Sequence, residues 1–94
     1  MERITKYLEE SPHAVVGKDK ISLIPEGYTG EAVELLARFE NFRAALEQER
    51  ERTETGMERL KKEGKTKSYQ FRELMGKRGM CNYVIGMMKI YDLE

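Results

Sequence analysis

Ala32, Leu35, Leu36, Phe39, Phe42 and Leu46 follow one another at intervals of three and four, with an adjacent pair at 35 and 36. That is the spacing of an apolar stripe along an α-helix. Glu34 and Arg38, and Arg43 and Glu47, stand four residues apart, where opposite charges support a helix. The pattern predicts a central helix over 30–64, with Thr29 as N-cap and Gly64 as C-terminal cap. Read as heptads, its seam fails at Glu49, Thr53 and Gly56, short of the three or four heptads, roughly, that a coiled coil wants. Thr55-Gly56-Met57-Glu58 has the form of a capping box, so two versions are open: one continuous helix, or a helical hairpin that restarts there and carries Met57 and Leu60.

Before this helix the periodicity is shorter. Met1, Ile4 and Leu8 share a helical face, which predicts a helix over 1–10 that Ser11-Pro12 ends. His13 to Val16 and Lys20 to Ile24 are β-prone runs separated by Gly17-Lys18-Asp19 and are expected to pair as a hairpin over 13–24. Pro25, Gly27 and Gly30 mark a turn into the central helix.

The last third is the densest in apolar residues. A short helix is expected from near Ser68, with an extended Thr66 to Gln70 as the other reading, then a break between Gly76 and Gly79, and a final helix capped by Asn82 and running from Tyr83 to about Tyr91. Together these form a helical corner over 68–92. Its inward positions are Leu74, Met80, Ile85 and Met88. Tyr83, Met87 and Ile90 remain outside; a corner turning at Gly79 would present Cys81, Asn82, Tyr83, Gly86, Met87 and Ile90 as one face, while Cys81 taken by itself reads as a small, partly buried hydrophobe. The fold class expected is therefore mainly α with a small N-terminal β-hairpin, a compact single domain over 1–94 ending in a helical corner.

Composition adds a charged exterior, with 36% charged against 39% apolar residues and a net charge of zero. The charge is uneven: residues 59 to 78 hold eight basic side chains against Glu63 and Glu73. Cys81 is the single cysteine, which excludes an internal disulfide and agrees with a reducing, cytoplasmic setting. Met1 to Glu10 has no apolar core of a signal peptide, and the apolar run Tyr83 to Met88 is far short of the ~20 residues that span a bilayer, so no membrane association is expected.

Chemistry is sparse. Gly64-Lys65-Thr66 imitates the end of a phosphate-binding loop, but Arg59 stands where that loop needs its first glycine. His13 is the sole histidine and lies far in sequence from Cys81, so neither a metal set nor a Cys–His pair is spelled out. No catalytic residue, metal or cofactor is expected, and the chain reads as a non-enzyme. Two readings of function remain. In the first, Tyr83, Met87 and Ile90 form an exposed apolar patch through which a cytoplasmic interaction module meets a second copy, as a homodimer, or another protein. In the alternative, 71–90 is a helix-turn-helix-like unit with Gly79 at its turn, and the protein is a DNA-binding regulator. Lys61, Lys62, Lys65, Lys67, Arg72, Lys77 and Arg78 would then meet phosphates, and Asn82 a base edge. Of that would-be recognition face only Asn82 is a usual base reader, which makes nucleic acid the weaker partner.

Overall fold

The structure is a computed structural model that describes residues 2–94. It is mostly helical, with two antiparallel hairpins followed by two helices. Strand β1 (Thr5–Tyr7) pairs with β2 (Ala14–Val16), and β3 (Ser22–Ile24) pairs with β4 (Gly27–Thr29). A 3-10 turn over Lys18–Lys20 joins the pairs. Helix α1 covers Glu31–Lys62 and α2 covers Tyr69–Ile90. The chain forms two compact units, one ending at Asn41 and the other beginning at Phe42.

In the first unit the N-terminal helix expected over 1–10 does not form. Thr5–Tyr7 is a strand, in register with Ala14–Val16 so that Thr5 faces Val16 and Tyr7 faces Ala14. Met1, part of that expectation, lies outside the described residues. A ten-residue helix with three apolar positions has too few propagated hydrogen bonds to offset its nucleation. Thr5 and Tyr7 instead suit an extended chain. Ser11 closes the connection by accepting from the His13 amide at 3.2 Å, and the Arg3 guanidinium sits 5.5 Å from the Tyr7 ring centre.

The expected pairing across Gly17-Lys18-Asp19 is likewise replaced. Ser22–Ile24 folds onto Gly27–Thr29 through a turn at Pro25-Glu26, with Leu23 opposite Tyr28. Proline at the first turn position presets the backbone, and Gly27 takes φ 141°. Local turn chemistry thus outweighs the longer reach to 13–16.

Gly30, not Thr29, opens α1: its carbonyl accepts the first helical bond from the Glu34 amide at 2.9 Å. Its φ is 121°, and a Cβ there would stand 2.5 Å from the Lys20 carbonyl oxygen and 2.8 Å from Ile21 Cα. Only glycine fits this approach. Beside it the Lys20 ammonium bonds the Glu31 carboxylate at 2.9 Å. That hydrogen bond, with the charges of Glu31 and Asp19, raises the Lys20 pKa above the usual lysine value.

In the second unit α1 runs uninterrupted through Gly56, so the continuous version of the central helix is the one adopted. The stripe predicted to be buried is not: Leu35 and Leu36 in the first unit and Phe42 in the second are exposed, and Ala32 and Phe39 in the first and Leu46 in the second are only half-buried. The buried residues of α1 are Thr53, Met57 and Leu60, in the stretch where the seam was expected to fail. Thr53 is admissible because its hydroxyl donates to the Glu49 carbonyl at 2.7 Å, which removes the cost of an unpaired buried donor. Gly56 leaves room for Leu74, whose Cδ1 would lie 3.0 Å from a Cβ. Met57, Leu60 and Phe71 form the core cluster, with Leu74 packed against it.

The turn between the helices is closed at both ends. Gly64 takes φ 71°, its amide bonds the Lys61 carbonyl, and the Lys65 amide bonds that of Leu60, a Schellman stop. Ser68 then caps α2 by accepting from the Phe71 amide at 3.2 Å. At the far end Asp92, at φ 57°, holds the left-handed position, with the Leu93 amide on the Met88 carbonyl. Arg43 reaches back from α1 to the Leu93 carbonyl at 3.3 Å.

Candidate interaction face on the second helix

Helix α2 is one uninterrupted rod, so the helical corner expected at Gly79 does not form and the helix-turn-helix-like unit of 71–90 lacks its turn. Gly79 is a helical residue here. Of the positions expected to point inward, Ile85 and Met88 are buried and Leu74 half-buried, but Met80 is 63% exposed. Cys81 is 3% exposed, in keeping with a small buried hydrophobe and not with a place on the recognition face of a corner turning at Gly79. The correction is one of helical phase. Burial in α2 falls at Phe71, Leu74, Arg78, Cys81, Ile85 and Met88, with Leu74, Arg78 and others half-buried, alternating steps of three and four that keep one side against α1.

At 100° per residue, the side opposite that seam carries Gly76, Gly79, Met80, Tyr83, Gly86, Met87 and Ile90. Tyr83 and Ile90 are 70% and 73% exposed, and Met87 is 39% exposed. None of these seven residues is charged. The charged residues of α2 between 76 and 90 are Lys77, Arg78 and Lys89, which lie in the seam or at its flanks. An ordinary surface helix has the reverse arrangement, with its charges opposite the buried stripe.

The three glycines sharpen the picture. A Cβ added at Gly76, Gly79 or Gly86 would meet nothing within 4 Å. Each of them weakens the helix by about 1 kcal/mol relative to alanine. Nothing in the described residues makes use of the space they leave. Tyr83, Met87 and Ile90 were legible as an outward group from their spacing; Met80 and the glycines were missed because a turn at Gly79 resets the phase. The uninterrupted three-four series from Phe71 to Met88 was the signal for them.

The basic residues are dispersed rather than gathered. Lys61, Lys62, Lys65 and Lys67 are exposed at the turn between the helices, and Lys65 pairs with Glu63 at 3.3 Å. Arg72, Lys77 and Asn82 are exposed farther along α2, and Arg78 is half-buried in the seam. No three His, Cys, Asp or Glu side chains among the described residues are grouped as metal ligands would be. The notch of about 300 Å³ lined by Gly56, Arg59, Leu60, Gln70, Glu73 and Leu74 brings no nucleophile to a base. No helix among the described residues is long and apolar enough to cross a membrane. No protein-family model matches the chain, and comparison with curated proteins and with solved structures finds no match.

Proposed function

We propose that the protein is a small cytoplasmic, non-catalytic interaction module that associates with a second copy of itself through the outward side of α2. The observation that carries this reading is the uncharged face of Met80, Tyr83, Met87 and Ile90 on the side of the helix turned away from its own hairpin. Contiguous apolar surface of that kind marks sites of association, and Met and Tyr are enriched in them. The single cysteine, free and buried, is in keeping with a reducing compartment. The alternative, a DNA-binding regulator, has the exposed lysines near the interhelical turn in its support, while the turn at Gly79 that it called for is absent.

The test is the double change Met87→Glu with Ile90→Lys. Both side chains are exposed in the single chain, so the variant keeps its helix content, whereas a partner face would have to bury the new charges. Light scattering on a sizing column should give a dimer for the wild type and a folded monomer for the variant. A variant as dimeric as the wild type would move the contact off this face. Retention of duplex DNA by the wild type at low salt, lost at high salt, would support the regulator instead.

A further inference from the structure

On the outward strip each of Gly76, Gly79 and Gly86 has a large apolar residue, Ile90, Met87 and Met80 in turn, at the same distance on the other side of Tyr83. Gly76 and Ile90 are each seven residues from it, Gly79 and Met87 four, Met80 and Gly86 three. We infer that two copies pack α2 against α2 in antiparallel fashion, with the two-fold axis beside Tyr83 and each glycine receiving a large side chain of the second copy. This rests on the self-association reading and adds the register to it.

Two antiparallel helices related by a two-fold axis bring residues equally distant from the axis to the same level. Ile90 then enters the space over Gly76 of the second copy, Met87 that over Gly79, and Met80 that over Gly86. The knobs occupy the positions where an added Cβ has nothing within 4 Å in the single chain. A parallel pair would set Gly76 on Gly76 and Met80 on Met80, leaving gaps and bulges at alternate levels. The strip brings no charge to the axis. Other occupants fit less well. A basic or acidic partner finds no charge on the strip to pair with, while a second copy supplies the complementary sizes itself.

From Gly76 to Ile90 the strip is about 21 Å long on a helix roughly 10–12 Å wide. That is well below the ~800 Å² per partner of a standard interface. The dimer is therefore reversible and forms in the range of about 10–100 µM.

The test exchanges sizes across the pair. Gly86→Met alone sets methionine against Met80 at one level and should weaken dimerisation about tenfold or more. Adding Met80→Gly restores a small residue opposite the large one and should return the dissociation constant to within about threefold of the wild type. The double variant removes one helical glycine and creates another, so its helix content, read by circular dichroism, stays that of the wild type. A second measurement is independent of the swap: Tyr83→Cys in a Cys81→Ser background should form a disulfide-linked dimer on mild oxidation, because the residue lies on the axis. A wild type that stays monomeric at hundreds of micromolar overturns self-association and the register with it. A dimeric wild type that is indifferent to Gly86→Met, that is not rescued by the double change, or that does not cross-link through residue 83 overturns the register alone.

Discussion

Gly30 and Asp92 sit in left-handed backbone for opposite reasons, and substitution should move stability in opposite directions. At Gly30 both φ and the Lys20 carbonyl exclude a side chain, so Gly30→Ala should lower unfolding free energy by about 1–3 kcal/mol in urea melts. At Asp92 a side chain already occupies a position that glycine fills without strain, so Asp92→Gly should raise stability by about 0.5–1 kcal/mol. Lys20 also carries a pH dependence. Its pKa is raised in the folded chain, so the stabilisation by Glu31 is fully present below the unfolded lysine value and is lost as pH rises through the folded one. Glu31→Gln should remove that alkaline dependence, seen as a melting temperature that falls less steeply above about pH 10.

Among the elements, the cluster of Met57, Leu60 and Phe71 sits where α1 and α2 meet near their turn, and Cys81, Ile85 and Met88 continue the buried side farther along α2. Leu60, 1% exposed, touches the cluster of Met57 and Phe71. Leu60→Ala should cost about 2–5 kcal/mol, whereas Leu36→Ala, on the exposed stretch predicted as core, should cost under about 1 kcal/mol. The contrast shows where legibility ended. Features set by neighbouring residues could be read: the stop at Gly64, the start near Ser68, the helical character of 31–62. Features set by a choice between distant partners could not. Thr5–Tyr7 and Lys20–Ile24 both compete for Ala14–Val16, and only backbone pairing decides between them. Thr53 looks like a break in an apolar seam until its hydroxyl is seen bonded to the Glu49 carbonyl. Of the candidate face, Tyr83, Met87 and Ile90 were legible as an outward group because their spacing holds in either helical phase; Met80 was placed inward because a glycine pair reads as a turn when it can equally serve as a low contour on a straight helix.

For the whole molecule, the zero net charge conceals a basic interhelical turn, while the outward strip of α2 is uncharged. An association driven by that strip should be nearly indifferent to ionic strength, changing its dissociation constant by no more than about threefold between low and molar salt. Phosphate binding through Lys61, Lys62, Lys65 and Lys67 would instead weaken by orders of magnitude. The measurement that bears most directly on the central claim is sedimentation equilibrium of the wild-type chain from about 1 µM to 500 µM. The account predicts a mass that rises from one chain toward two across that range, with the same curve in low and high salt. A mass that stays at one chain throughout would contradict it.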